Sequence, residues 1–534
     1  APNTLSNVWV VQNSAGDTVT ISQGTGANVV IPNGGIRMIA TDGAGSGAAV
    51  TDVLDVLGGT GNVGLGSGAF GTGLTTGTDN VAIGENAGDA LTSGSDNTFV
   101  GDGAGSAVTD GNYNTGIGSA ALAVSTGGQN TAVGSGALDA NTTASYNVAV
   151  GKDALGANTT GDRNTAIGLE ALNTNTVGDR SVAIGYKSLY TQNPATNADM
   201  ANVGVGNLSL YSTTTGTNNT GVGFNSMFAN TTGSSNVAVG YGSLDANTTG
   251  AANTGVGNNS LGANTTANNN TGFGAYTLED NSTGTANVAV GAGALKNNTT
   301  ADNNTAVGLD SLMTNTTGAG NVALGKDALK ANTTADSNTA VGHTALTANT
   351  TGTLNVAVGA IAGAANTTGN SNTAIGAGAL ASVTTSDTNT AVGSYALNLN
   401  TAANNVAMGR LALYANTTGT ENTAIGTTAG DAITTGSNNT VLGYDALSTA
   451  TTANANTAIG SHVLQDSTGA SNTGVGWYAL KENTTGIQNT AVGAGAAVSQ
   501  TTANYSVALG GGTLATVTTG DQNIAIGYAA LNDT

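Results

Sequence analysis

The chain has 534 residues, with 83 Gly, 3 Pro and no Cys, and its 10 Lys and Arg against 31 Asp and Glu give a formal charge of -21. The absence of Cys excludes disulfides and thiolate metal sites, and the acidic balance disfavours binding to nucleic acid or to anionic membrane surfaces. The few Pro exclude collagen, and no apolar run approaches the roughly 20 residues that span a bilayer, so no membrane insertion is expected.

Residues 1–61 differ in pattern from everything that follows. Short runs rich in β-branched residues alternate with Gly, Asn and Pro, which is typical of strands joined by turns. The runs are Val8–Val11, Thr18–Ile21, Val29–Ile31 and Ile36–Ile39. Residues 52–57 fit either a strand or a short turn of helix. We predict an N-terminal β module over residues 1–61 that serves as an attachment segment or cap.

Residues 62–534 are copies of one repeat. Asn304, Asn321 and Asn338 stand 17 residues apart and open the same phrase: Asn, Thr or Val, Ala or Gly, an aliphatic residue, Gly, two free positions, Ala or Ser, and Leu. We number these positions from one at the Asn, and an Asn-Thr-Thr spacer follows at positions twelve to fourteen. The phrase occurs in 28 copies, and the step from Ser181 to Asn202 is lengthened by an insertion around residues 192–200. A short fixed period is the signature of a solenoid.

The phrase predicts a strand rather than a helix, because Gly, Asn and Thr in every period are poor helix formers. One repeat buries too little apolar surface to offset its ordering entropy, so the copies must stack at about 4.8 Å per coil, and 28 coils would extend about 130 Å. We predict an all-β fold, a parallel β-solenoid or β-roll, and a homotrimer whose chains pack their inner strands together. The aliphatic residues expected to form the structural core are Val307, Leu324, Leu329, Ile375 and Ile459.

The strand phrase, as in residues 181–185 (SVAIG) and 506–510 (SVALG), resembles the head repeats of trimeric autotransporter adhesins of the YadA type. The resemblance covers residues 62–534 and implies a left-handed parallel β-roll with three chains around a shared core. The period of 17 is longer than is typical of those heads. A heptad stalk, a neck and a C-terminal membrane anchor are absent from the sequence.

The N-terminal segment resembles a small β segment of phage tail-fibre and virion proteins. The resemblance is carried by residues 17–34, 37–43 and 50–54. Together the two resemblances imply a virion fibre whose shaft uses the adhesin roll.

Aromatic residues at positions six and seven follow the Gly of the turn, where we expect them to be exposed. Aromatic faces can stack on sugars or partner proteins. In sequence these residues are spread over many copies, so decoration of the turns is the simpler interpretation. The candidate surface-binding residues are Trp477, Tyr478, Tyr186, Tyr241, Tyr444 and Tyr528.

No catalytic, cofactor or metal site is expected. Residues 66–71 match GxGxxG, but they lack the strand–helix context in which that motif binds a pyrophosphate. His343 and His462 occupy free positions and have no recurrent acid or second His beside them. Acidic residues scattered through the spacers leave weak calcium binding open.

The main hypothesis is therefore a non-enzymatic structural fibre on a virion surface or outside a cell. Its N-terminus would attach to a virion or cell-surface protein, and its distal end would face a host receptor. Three alternatives stay open: a bacterial surface adhesin, an ice-binding solenoid with Thr ladders, and a capsule-degrading tailspike with its site near Asp199. Because the last copy stops at Thr534, we expect further coils, a tip or a neighbour to follow it.

Overall fold

Strands are the only regular secondary structure in the residues that the computed structural model describes, which are 8–22, 25, 28–31, 33, 36–41, 50–56, 61–71 and 74–532, with 51–56 known by their backbone alone. These residues fall into two compact units, Ala1–Thr266 and Ala267–Thr534. Each unit is described by itself below.

Five strands come before the first repeat, and they pair antiparallel in two small sheets. Strands β1, β4 and β5 form one sheet in that order, and β2 and β3 form a hairpin. Buried Val29, Ile31, Ile39 and Val50 make their common core, against which Trp9 packs. Residues 52–57, which fitted either a strand or a turn of helix, form a strand as far as Val56. Leu57 lies outside the described residues. The strands are β1 Val8–Gln12, β2 Val19–Ile21, β3 Val29–Ile31, β4 Ile36–Thr41 and β5 Val50–Val56.

The repeats of the first unit each give one three-residue strand, at positions two to four. Two further strands of two residues, β13 and β15, pair beside the lengthened copy. The strands are β6 Val63–Leu65, β7 Val81–Ile83, β8 Thr98–Val100, β9 Thr115–Ile117, β10 Thr131–Val133, β11 Val148–Val150, β12 Thr165–Ile167, β13 Gly178–Asp179, β14 Val182–Ile184, β15 Ala198–Asp199, β16 Val203–Val205, β17 Thr220–Val222, β18 Val237–Val239 and β19 Thr254–Val256.

The repeats of the second unit follow the same rule without an insertion. The strands are β20 Thr271–Phe273, β21 Val288–Val290, β22 Thr305–Val307, β23 Val322–Leu324, β24 Thr339–Val341, β25 Val356–Val358, β26 Thr373–Ile375, β27 Thr390–Val392, β28 Val406–Met408, β29 Thr423–Ile425, β30 Thr440–Leu442, β31 Thr457–Ile459, β32 Thr473–Val475, β33 Thr490–Val492, β34 Val507–Leu509 and β35 Ile524–Ile526.

Within each unit the repeat strands pair parallel and in register with the next copy. Ala306 of β22 lies opposite Ala323 of β23, for example, and Val307 lies opposite Leu324. The two units together hold about 27 turns with a repeat of about 17 residues. The predicted all-β fold and parallel β-solenoid are confirmed.

The interior of a coil is made by positions three and nine, not by position four. Ala323 and Leu329 are fully buried, whereas Leu324 is 47% exposed and Ile375 is 39% exposed. Val307 and Ile459 are also partly exposed. Alternate residues of a strand face opposite ways, and the inner side of the narrow coil carries Ala or Gly in nearly every copy. Placing these four position-four residues in the core is therefore wrong for the single chain.

The Gly at position five is required by close stacking. Gly308 has φ of 133°, and a Cβ on it would lie 2.6 Å from the carbonyl oxygen of Gly325 in the next copy. Positions seven, nine and seventeen also adopt left-handed conformations without Gly, as Asp310, Leu312 and Asn303 show. Each coil thus stores unfavourable backbone conformations that stacking must offset.

Buried Asn side chains at position one link successive coils. Asn321 Oδ1 accepts a hydrogen bond from the backbone N–H of Asn338 at 2.9 Å, and Asn321 Nδ2 donates to the carbonyl of Ala335 at 2.8 Å. A second column runs through position twelve, where Asn332 Nδ2 donates to Asn315 Oδ1 at 2.8 Å. These two Asn columns therefore form inside the turns and satisfy backbone groups that would otherwise be buried unpaired.

The lengthened copy replaces its Asn with a different pair of residues. Ser181 stands at position one and cannot reach as far as an Asn. Gln192, at position twelve, donates from Nε2 to Ser181 Oγ at 3.0 Å, and its Oε1 accepts from Asn202 Nδ2 at 2.9 Å. The longer side chain of Gln192 thus links Ser181 to the side chain of Asn202 in the next copy.

Candidate binding surfaces

The outward side of the repeat strands is an apolar face. Positions two and four point away from the coil interior, and position four carries an aliphatic or aromatic side chain in nearly every copy. Exposed residues of this face in the second unit are Phe273, Val288, Val290, Val322, Leu324, Ile375, Met408, Ile425, Leu442, Val492, Ile524 and Ile526. A contiguous apolar face of this kind is typical of a surface that pairs with another polypeptide.

The Thr side chains of the spacer are occupied by the coil itself. Thr316 Oγ1 donates to the carbonyl of Thr333 at 3.0 Å, and Thr333 Oγ1 donates to Thr350 in turn. Similar bonds recur along both units. These hydroxyl protons are therefore committed to neighbouring coils.

Aromatic side chains at position ten stack across three copies of the first unit. The rings of Tyr190 and Tyr211 have centroids 5.4 Å apart and are nearly parallel, and Phe228 continues the stack at 5.2 Å. Lys187 places its ammonium 5.0 Å from the centroid of Tyr190 and 5.5 Å from that of Tyr186. We call Tyr186, Tyr190, Tyr211 and Phe228 the first aromatic cluster.

A second group forms in copies 439–488 and joins positions six and seven. Tyr444 meets His462 edge-on at 5.3 Å, and His462 lies 5.2 Å from the ring of Tyr478. Trp477 packs on Tyr478 with centroids 4.1 Å apart. Trp477 and Tyr444 keep 58% and 53% of their surface exposed. We call Tyr444, His462, Trp477 and Tyr478 the second aromatic cluster.

Asp445 adjoins the second aromatic cluster, and Asp431 lies near Asp445. Asp445 Oδ2 lies 3.8 Å from His462 Nδ1, and its Oδ1 accepts a hydrogen bond from Thr428 at 2.7 Å. Burial, followed by repulsion from Asp445, raises the pKa of Asp431 to about 6. Neither His462 Nδ1 nor Asp431 Oδ1, although both atoms are buried, has a hydrogen-bond partner. Two polar atoms therefore stay unsatisfied beneath this part of the surface.

The interpretation of the aromatics as scattered decoration is wrong for most of them. Trp477, Tyr478 and Tyr444 belong to the second cluster, Tyr186 joins the first through Lys187, and Tyr241 stacks with Phe224 at 5.7 Å. Tyr528, at 90% exposure, is the most open of them.

Sequence reasoning missed His462 and the position-ten rings. The signal was present: residues 17 apart hold the same position, so stacking in register brings them to adjacent coils. The insertion hides this for Tyr190 and Tyr211, which stand 21 apart but hold the same position.

Charged side chains lie close together beside the irregular copy: burial raises the pKa of Asp179, and Asp162, Arg163 and Asp199 are near enough to affect it. Asp199 forms a salt bridge with Arg180, and both side chains are about half exposed. Across the described ranges, no three His, Asp or Glu side chains are placed to hold a metal ion. In the same ranges no helix has the length and apolar character to cross a bilayer. No protein-family model, curated protein or solved structure matches this chain.

Proposed function

We propose that this protein is a non-enzymatic structural fibre, the shaft of a phage or virion tail fibre that extends a host-attachment element. The support is the combination of an in-register coil stack with an apolar outward face. Stacking lets copy number set the length of a shaft. Three copies of the chain would bury their outward faces against one another and form a homotrimer. Neither nucleic acid nor a membrane is a partner in this proposal.

The size of the outward side chains supports self-association. A single coil has room for Ala or Gly on its inner side, so the larger aliphatic side chains of position four face out. Water contact with such residues costs about 25 cal/mol per Å² of apolar surface. Because every copy exposes such a side chain, the free energy of exposure adds up along the face. Burying the whole face against other chains is therefore favoured.

The test of the assembly combines native mass with substitutions on this face. Replacing Leu324 and Ile375 with Asp places charges at the proposed contact and is expected to dissociate the trimer into folded monomers. The matched control replaces Tyr395 and Tyr276 with Asp, at position seven on the turns, and should leave the mass unchanged. A trimer that survives the first pair would overturn the assembly.

The location of the fibre has its own test. Antibodies against this chain should label fibres on purified virions by immunogold microscopy. Labelling of a bacterial envelope, together with a membrane anchor in the complete gene product, would instead support the adhesin alternative.

An ice-binding solenoid is a second candidate because Thr recurs in nearly every spacer. Its support is limited, since the spacer hydroxyls donate to backbone carbonyls and position two alternates Thr with Val. Thermal hysteresis in a solution of the purified chain would establish it, and its absence would remove it.

A further inference from the structure

The second aromatic cluster presents two exposed rings at one repeat position, two copies apart. Tyr444 and Trp477 both hold position six, and Ser461 holds that position in the copy between them. Two strand spacings place the rings about 10 Å apart along the stack. The small Ser461 leaves room between two apolar platforms.

Polar groups lie beside these platforms. His462 is between the rings of Tyr444 and Tyr478, and Asp445 is within 3.8 Å of its Nδ1. Gln465 Nε2 lies 3.5 Å from Asp445 Oδ2. The surface thus alternates flat apolar faces with hydrogen-bond donors and acceptors, in a row across neighbouring coils.

We propose that this surface binds an uncharged polysaccharide. A pyranose ring has a flat C–H face that packs on an aromatic ring, and its edge carries hydroxyl groups that need hydrogen-bond partners. Alternate units of an extended sugar chain recur at a spacing close to that between Tyr444 and Trp477. The intervening unit would lie above Ser461, with its hydroxyls toward His462 and Asp445.

Charge selects the class of polysaccharide. The chain carries a net charge of -21, Asp445 lies beside His462, and Asp431 is close enough to Asp445 to interact with it electrostatically. Lys481 is the cation of this cluster, and its ammonium is held 5.5 Å from the centroid of Tyr478. Acidic glycans would be repelled here, whereas uncharged sugars lose nothing by the approach.

The test uses the full chain with Trp9→Phe, which leaves Trp477 as the single Trp. Emission is followed while hexasaccharides of β-1,4-linked glucose, mannose and N-acetylglucosamine and of α-1,4-linked glucose are added. We expect at least one to give a saturable change, and a polygalacturonate hexasaccharide to give none. A panel without any saturable change, or a preference for the acidic probe, would overturn the proposal.

Variants tie the binding to the cluster. Tyr444→Ala should weaken binding at least tenfold, while Tyr444→Phe, which keeps the ring, should retain it and guards against misfolding. Tyr276→Ala removes a position-seven ring from a distant copy and should have no effect. Equal losses in Tyr444→Ala and Tyr276→Ala would contradict the assignment. The binding measurement does not depend on the number of chains in the particle. It therefore tests the sugar site separately from the proposed fibre.

Discussion

The ring of Phe99 occupies the space that a side chain on Gly105 would need. Phe99 stands at position three, where nearly all other copies have Ala or Gly, and it is fully buried. Gly105 stands at position nine, where most copies have Leu, and a Cβ on it would lie 2.4 Å from Phe99 Cδ1. The two departures from the repeat therefore compensate within one coil.

This pair predicts a strong coupling energy. Phe99→Ala should lower the free energy of unfolding by about 3–5 kcal/mol through the cavity it leaves. Gly105→Leu alone should destabilise by clash. The double variant restores the common repeat and should recover most of both losses, as measured by urea unfolding. Additive losses in the double variant would show that the two residues do not share the space.

Replacing any Asn of the position-one column should destabilise the fold. Asn321→Ala removes the acceptor of the Asn338 N–H, which stays buried, and should cost about 1–3 kcal/mol. The Ala335 carbonyl loses less, because Asn332 Nδ2 also donates to it at 3.0 Å. Hydrogen exchange of the Asn338 amide measures the effect. Asn258→Ala, on an exposed turn, is the control, and equal effects in both would contradict the ladder.

Ile361 stands at position seven, where the backbone is left-handed, so replacing it with Gly should stabilise the fold. This β-branched residue has φ of 54° and is 42% exposed, so it contributes strain and little burial. Ile361→Gly should stabilise its coil by about 1 kcal/mol, seen as slower hydrogen exchange in residues 355–379. Ile361→Val keeps the branched side chain and should bring no gain. Faster hydrogen exchange in the Ile361→Gly variant would show that the backbone of Ile361 is not strained.

The raised pKa of Asp431 predicts a pH dependence of stability. Because the folded-state pKa of about 6 exceeds the ordinary 3.8, the folded chain holds this proton more tightly than the unfolded chain. The contribution of Asp431 to stability is present below pH 4 and is lost as the pH rises through 6. Asp431→Asn should therefore stabilise above pH 6 and have little effect below pH 4. Thermal unfolding at both pH values checks this, and a pH-independent difference would contradict it.

Repetition explains why most of the fold could be predicted from the sequence. The same phrase at a fixed period places every strand, every turn Gly and both Asn columns once one copy is understood. The side of the strand that faces inward could not be predicted from hydrophobicity, which favours Leu324 over Ala323. Volume decides instead, because a coil with Leu at position nine leaves room only for a smaller side chain at position three.

The candidate site was predicted only in part. Trp477, Tyr478 and Tyr444 are exposed enough to be candidates from their turn positions alone. His462 and Asp445 acquire significance only from contacts between copies, which depend on side-chain orientation as well as on the period.

The mass of the native protein in solution tests the central claim most directly, since the proposed trimer buries the outward apolar face. Light scattering should give about three times the 51.2 kDa of one chain. A particle with the mass of a single chain, its outward face open to water, would contradict the account.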